Sequence, residues 1–271
     1  MKKVIFKNNR IIQIAFILGA FLMFSTSCKE DPNPEPESTT GKIHFDFDFM
    51  VDGNPLQYDT LMYTNAAGNQ YIVYEIQYFI SDVTIYKGST AKVLKGWEKE
   101  HYVDTEVTST LGWDVYDEIA QGAYDSISFT LGFVDADNQS FMFVNPPESN
   151  MVWPEYLGGG YHYLKINGKW KVASDDLRGF AFHLGRGQVY DASNNPISFI
   201  DNSFRVSLSN SDFNITKGKY TNMTIRMNVD EWFKNPKDYD HNTWGGDIMQ
   251  NQDAMEIAAR NGWNVFELVK H

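Results

Sequence analysis

Hydrophobic and polar residues alternate strictly in the first structured stretch of the chain. Within residues 42–51 the odd positions are apolar, while the even positions are polar as far as Asp48. The apolar set is Ile43, Phe45, Phe47, Phe49 and Val51. A period of two residues is typical of a β-strand with one buried face. The pair Asp52-Gly53 then supplies a turn, so the pattern predicts a half-buried strand that ends there.

Further strand-like runs follow, separated by turn residues such as Gly68-Asn69, Lys87-Gly88 and Lys217-Gly218. The runs are residues 71–74, 76–87, 101–107, 126–133, 161–166, 179–184, 203–208 and 220–229. Many short strands without alternating helices predict an all-β fold, an antiparallel β-sandwich or barrel-like domain.

Helical spacing occurs only near the C-terminus. Ile248, Met255 and Ala259 recur on one helical face, Asp247 is a suitable N-cap, and Asn261-Gly262 provides a stop. We predict one short helix there, covering an edge or an open end of the sandwich. Residues 232–246 are aromatic-rich and irregular, which predicts a long packed loop.

The N-terminus is typical of an exported lipoprotein. Residues 1–10 carry four basic residues and no acid, residues 11–24 are apolar apart from Gln13, and small residues lead into Cys28. The apolar run is shorter than the roughly 20 residues needed to span a bilayer. Residues 1–27 are therefore predicted to be a lipoprotein signal peptide and Cys28 the lipidated residue, the alternative being ordinary secretory cleavage with a leftover thiol.

The residues after Cys28 predict a location. Lys29-Glu30-Asp31 resembles the signals that carry some lipoproteins to the outer face of the outer membrane. Residues 28–40 are rich in proline and acid, which predicts a disordered tether. The protein is thus expected to be lipid-anchored in the outer membrane and exposed at the cell surface, with residues 41–271 as its globular domain.

Charge and composition exclude several functions. Without the four basic residues of the signal, 19 basic and 35 acidic residues remain, an excess of 16 negative charges. That excess argues against nucleic acid as a partner. A single cysteine excludes internal disulfides, and the sequence has no Gly-x-Ser-x-Gly, His-Glu-x-x-His or Cys-x-x-Cys-His motif. The commonest serine hydrolase, zinc protease and c-type haem functions are therefore not indicated.

Four of the six histidines lie in strand-like apolar or aromatic stretches: His44, His101, His162 and His183. Neutral imidazole suits copper and zinc, so these histidines are candidate metal ligands; each can instead be a partly buried polar residue with a backbone hydrogen bond. Strand parity does not place all four on one sheet face. Convergence therefore requires a site at strand ends, where bulges and loops break the alternation.

Several stretches resemble the MbnP-like family, which is associated with the copper chelator methanobactin. They are residues 46–56, 78–83, 127–134, 145–154 (Asn-Pro-Pro-Glu-Ser-Asn-Met-Val-Trp-Pro), 158–163 (Gly-Gly-Gly-Tyr-His-Tyr) and 180–185 (Phe-Ala-Phe-His-Leu-Gly). The resemblance runs through residues 41–266. It implies an extracytoplasmic copper-binding β-sandwich rather than an enzyme, serving copper uptake, storage or sequestration.

The resemblance also implies a redox partner. In relatives a tryptophan is oxidised to kynurenine by a di-haem cytochrome-peroxidase-like protein, and an outer-membrane transporter is a second expected partner. The family motif Met-x-Trp-x-Trp reads Met151-Val-Trp153-Pro-Glu155 here, so only the first tryptophan is kept. Trp153 is either that oxidised residue or a packing residue. The predicted ligands are His44, His162 and His183, with His101 as fourth ligand or supporting residue, for copper or alternatively zinc.

A non-metal function stays open beside this prediction. Aromatic residues at 153–163 and 239–244 could stack on glycan rings or contact a partner protein, as aromatic-rich loops on sandwiches do. Metal binding requires the histidines to converge, whereas a glycan or protein-binding module does not.

Overall fold

The computed structural model describes residues 39–95 and 99–271. The predicted signal peptide, Cys28 and all but the last two residues of the predicted tether lie outside the described residues. Within them, no helix is long and apolar enough to cross a bilayer.

Strands dominate the described residues, as the alternation predicts. The strands are β1 (Thr40–Val51), β2 (Asn54–Pro55), β3 (Tyr63–Thr64), β4 (Gln70–Lys87), β5 (Thr90–Val93), β6 (Glu100–Asp104), β7 (Gly112–Asp114), β8 (Ile119–Ala120), β9 (Gly122–Tyr124), β10 (Ser126–Leu131), β11 (Leu164–Lys171), β12 (Leu177–Leu184), β13 (Gly187–Tyr190), β14 (Pro196–Ile200), β15 (Phe204–Ser207), β16 (Phe213–Ile215), β17 (Tyr220–Asn228) and β18 (Phe266–Lys270). The helices are α1 (His241–Trp244) and α2 (Gln252–Asn261), with 3₁₀ turns at Thr108–Thr110, Glu148–Met151, Glu155–Leu157, Val229–Phe233 and Gly262–Asn264.

Two sheets form the sandwich. The six-stranded sheet has the order β18-β17-β1-β2, with β7 and β8 also paired to β1. The eight-stranded sheet has the order β12-β11-β4-β10-β15, with β3, β5 and β6 also paired to β4. The predicted all-β, antiparallel sandwich is confirmed, with one parallel pair, β1 with β17.

The core lies between the sheets and is rich in aromatic rings. The apolar face of β1 is buried as predicted, and Phe47 and Phe49 both meet the ring of Tyr78 on β4 edge to face, with centroids 6.4 and 6.3 Å away. Phe129 of β10 and Phe266 of β18 make a similar contact at 5.2 Å. Such edge-to-face pairs stabilise the core beyond the area they bury.

The outer face of the eight-stranded sheet is also covered. Residues 132–163, called the covering segment below, fold over it. Phe79 of β4 stacks on Phe143 of this segment with ring centroids 5.3 Å apart, and lies 4.7 Å from the ring of Phe133. The covering segment therefore forms a third layer over that part of the sheet.

The predicted helix exists but begins later than Asp247. Helix α2 starts after Asn251, whose side chain accepts a hydrogen bond from the Ala254 N–H at 3.1 Å. Asp247 instead accepts from the Met249 N–H at 2.9 Å in a preceding turn. Residues 232–246 form a packed connection, as predicted, with Trp232 and Tyr239 buried.

Candidate metal-binding site

The rings of His162 and His183 lie side by side, with centroids 5.1 Å apart and planes nearly perpendicular. His183 is on the outer face of β12. His162 precedes the first residue of β11, and its backbone N–H donates to the Met151 carbonyl at 2.7 Å. Because the regular strand begins only at Leu164, His162 is not bound by strand alternation. The covering segment thus brings it to His183.

His162 is fixed in one protonation form. Its Nδ1 lies 2.9 Å from the carbonyl oxygen of Met151. A carbonyl can only accept, so Nδ1 carries the proton and Nε2 carries the lone pair. That Nε2 is buried and has no hydrogen-bond partner among the described residues.

His183 is fixed in the complementary form. Its Nε2 donates to the Asn167 side-chain oxygen at 2.8 Å, and the Asn167 amide group donates in turn to the Glu75 carboxylate at 2.8 Å. Because the carboxylate accepts, the Asn167 oxygen must face the histidine. The lone pair of His183 is therefore on Nδ1, which is also buried without a partner among the described residues.

Both imidazoles are neutral at physiological pH. Burial lowers the pKa of His162 to about 4. Burial first, then repulsion from His162 in its protonated form and from the Lys165 ammonium, lower the pKa of His183 to about 2. Buried polar atoms are nearly always paired, so unpaired nitrogens on two neighbouring rings call for an explanation. Metal-bound histidines usually donate their second ring N–H to a carbonyl or carboxylate-linked group, as both rings do here.

Trp153 lies against this pair. Its ring centroid is 4.7 Å from that of His162, the side chain has no exposed surface, and its Nε1 donates to the Leu157 carbonyl at 3.1 Å. Glu155, which occupies the position of the second family tryptophan, is exposed. The retained tryptophan is therefore the one beside the histidines.

Polar residues hold the covering segment in place. Asn138 is fully buried and accepts from the Tyr161 N–H at 2.8 Å. Arg186 donates to the carbonyl oxygens of Gly158, Asp135 and Asn138, and forms an ion pair with the Asp135 carboxylate at 2.8 Å. These anchors, with Asn167 and Glu75, are absent from the residues predicted from sequence.

His44 lies in a different environment. On β1, its Nδ1 is 2.7 Å from Asp114 and its Nε2 is 3.2 Å from Asp46, so both nitrogens have carboxylate partners. Although burial opposes it, these two carboxylates raise the pKa of His44. Both ring nitrogens of His44 are thus occupied by hydrogen bonds to exposed carboxylates.

His101 is packed in a stack of aromatic rings. Its ring lies between Phe47 and Trp113, with centroids 5.0 and 5.1 Å away, and its Nε2 lies 2.9 Å from the Thr110 carbonyl. Burial lowers its pKa to about 4. Across the described ranges, no group of three or more His, Cys, Asp or Glu side chains is arranged to hold a metal ion. The predicted convergence of His44, His162, His183 and His101 is therefore wrong. Only His162 and His183 lie together.

A family model described as MbnP matches residues 40–251. The structure is similar to that of MbnP from Methylosinus trichosporium, with 12% identity and a TM-score of 0.55, over 85% of this chain and 99% of that one. No curated protein matches. Because the family model spans well over half of the chain, this protein belongs to the MbnP family.

Proposed function

We propose that this protein binds copper outside the cytoplasm, for uptake, storage or sequestration, with Nε2 of His162 and Nδ1 of His183 as ligands. The observation that carries the proposal is the pair of buried lone pairs on adjacent neutral rings. The opposite nitrogen of each ring is held by an oxygen acceptor, which orients the ligand and raises its basicity. Family membership supports the same function.

Zinc fits the pair less well than copper. Protein zinc sites use three or four protein ligands, and the described part of the chain brings no third His, Cys, Asp or Glu to the pair. Imidazole nitrogen is an established copper ligand. We therefore assign the pair to copper.

The alternative aromatic binding surface loses most of its support. Trp153, Tyr161, Tyr163 and Tyr239 are each at most 1% exposed, so their rings cannot stack on a glycan. Tyr156 is exposed, and Trp244 is only partly buried where it packs against the core, so these two stretches offer a small platform.

Copper retention tests the proposal directly. The purified protein, loaded with copper and dialysed, is expected to keep about one equivalent, because one pair of imidazoles forms one site. The double variant His162→Ala/His183→Ala should lose it, since both lone pairs disappear. Metal analysis with circular dichroism as a check of folding gives the measurement.

A matched variant controls for nonspecific binding. His44→Ala removes a half-buried imidazole from a different cluster and should leave copper retention unchanged. Equal retention by the wild type and the His162/His183 double variant would refute the assignment.

Lipid anchoring at Cys28, exposure at the cell surface and oxidation of Trp153 by a haem partner belong to the same proposal. The contact between Trp153 and His162 supports Trp153 as the position to examine. Intact-mass analysis of the peptide containing Trp153, after co-expression with a di-haem protein of the peroxidase class, tests the oxidation.

A further inference from the structure

A cavity of about 270 Å³ lies beside β6, between the eight-stranded sheet and the covering segment. Phe79 belongs to its sheet wall, and Phe143 and Glu148 line it from the covering segment. The 3₁₀ turn Thr108–Thr110 supplies two further lining residues. The volume is close to the lower end of the range for small-ligand pockets. The two histidines of the proposed copper site do not line this cavity, so it is a separate feature.

Aromatic rings form much of the cavity wall. The ring centroid of Phe79 lies 5.3 Å from that of Phe143 and 5.1 Å from that of Tyr102, and all three residues line the cavity. His101 lines it as well, and burial lowers its pKa to about 4, so the imidazole is neutral at physiological pH. Aromatic faces attract cations that come within about 6 Å of the ring centroid, and a neutral imidazole does not repel them.

Two carboxylates line the same cavity without an ion-pair partner. They belong to Glu100 of β6 and to Glu148. No Lys or Arg of the described residues lies within ion-pair distance of either one, whereas Asp135 of the covering segment pairs with Arg186 at 2.8 Å. Both carboxylates can therefore accept hydrogen bonds from a ligand.

The charges around the cavity are mostly negative. Burial raises the pKa of Glu100; the charge of Lys99 opposes this shift, and the charges of Asp137 and Asp82 add to it. Burial first, and then three carboxylates, raise the pKa of Tyr102: those of Asp104, Glu75 and Glu148. One lysine does not neutralise this number of acids. The cavity is thus suited to a cationic ligand.

We propose that this cavity binds a small organic cation that carries an ammonium group. A metal ion fits it less well, because no three His, Cys, Asp or Glu side chains in the described part of the chain are arranged to hold one. An ammonium group needs no such arrangement. Its N–H groups donate to the carboxylates, and its hydrocarbon part contacts the rings. The site is independent of copper binding.

Titration of the purified protein with butylammonium chloride at constant ionic strength, followed by two-dimensional NMR, tests the proposal. Saturable shifts are expected for backbone amides within residues 100–102 and 143–148. The neutral analogue 1-butanol has the same hydrocarbon chain and should bind at least about tenfold more weakly, because it lacks the charge. Glu100→Gln and Glu148→Gln keep the side-chain shape, and each should weaken butylammonium binding by about tenfold through the loss of one charge-assisted hydrogen bond.

Glu155→Gln is the matched control. It removes the same charge from an exposed position of the covering segment that does not line the cavity, so it should bind as the wild type does. Equal affinities for butylammonium and 1-butanol, or unchanged affinity in both cavity variants, would overturn the cation site. Tighter binding of calcium chloride at the same amides would overturn the organic ligand in favour of a metal ion. If one cavity variant does not fold, the other variant and the 1-butanol comparison decide.

The outcome is separable from that of the copper experiment. The variant His162→Ala/His183→Ala should bind butylammonium as the wild type does, because neither histidine lines the cavity. A protein that retains no copper but binds butylammonium would refute the proposed function alone, and the reverse result would refute this inference alone.

Discussion

At the scale of single residues, the site depends on the hydrogen bond that the second nitrogen of each ring donates. His162 donates to a backbone carbonyl, which a side-chain substitution cannot remove. His183 uses the side chain of Asn167, itself oriented by Glu75. Asn167 is therefore the residue through which the orientation of a ligand can be changed without altering the ligand.

Replacing Asn167 with leucine should weaken copper binding by about 10- to 100-fold, the usual effect of losing a residue that orients a metal ligand. Without the acceptor oxygen, the His183 proton is free to move to Nδ1 and block the lone pair. Competition against a copper chelator measures the loss. Asn222→Leu, at an exposed position of β17, is the matched control and should bind as the wild type does. Unchanged affinity in Asn167→Leu would show that the hydrogen bond does not position His183.

The sequence pointed to the two histidines but not to the residues that orient their rings. The types and neighbours of His162 and His183 were sufficient to predict them as candidate ligands, and the structure places their rings side by side. The role of Asn167 depends on register, because it meets Glu75 through the pairing of β11 with β4. That pairing contains a shift between Asn167 and Gly168, which one strand's alternation cannot reveal.

At the scale of elements, the site lies where β12 meets the covering segment. The two are in contact at Gly185, just after β12, where the backbone approaches the Trp153 ring. A Cβ on Gly185 would lie 2.5 Å from Cε3 of Trp153, well inside van der Waals contact. The absence of a side chain there allows Trp153, and with it His162, to sit against the sheet.

Gly185→Ala should therefore destabilise the protein by about 1–3 kcal/mol, the usual cost of overpacking a core, and displace Trp153. Urea denaturation followed by tryptophan fluorescence measures both effects. The control is Gly179→Ala on β12, where the nearest atom to a new Cβ is 3.9 Å away. That variant should be neutral or slightly stabilising, since alanine is favoured over glycine in a strand. Equal stabilities for the two variants would contradict the packing argument.

The elements themselves were predictable to different degrees. The alternation of β1 was sufficient to predict the strand and its buried face. The parallel pairing of β1 with β17 was not predictable, because it joins segments far apart in the chain. The start of α2 was misplaced because Asp247 and Asn251 are both good caps, and only the observed hydrogen bond to Ala254 distinguishes them.

At the scale of the whole molecule, buried histidines make stability depend on pH. His241 has no exposed surface, packs 4.5 Å from the Phe180 ring, and neither ring nitrogen has a partner in the described structure. Burial lowers its pKa to about 4, as it does that of His101. Because the unfolded chain binds protons at the ordinary pKa of 6.5, it binds more protons than the folded one between about pH 6.5 and pH 4.

The contribution of each such histidine to the free energy of unfolding should therefore be fully present above pH 6.5. It should be lost as the pH falls towards 4, by up to about 3 kcal/mol for each histidine. Denaturant titrations at several pH values measure the slope. His241→Phe should reduce it, because one titrating group is removed. His44→Gln should not reduce it, because the pKa of His44 is raised. An identical slope in His241→Phe would show that His241 does not titrate between the folded and unfolded states.

The covering segment has a consequence for how metal would be released. One ligand, His162, is held at the end of that segment by Met151, while the other, His183, belongs to the sheet beneath. A copper ion bound to both histidines would connect the covering segment to the sheet. Copper affinity and the packing of the segment on the sheet would then be thermodynamically linked. A receptor that separates the segment from the sheet would therefore release the ion without a change of pH or of copper oxidation state.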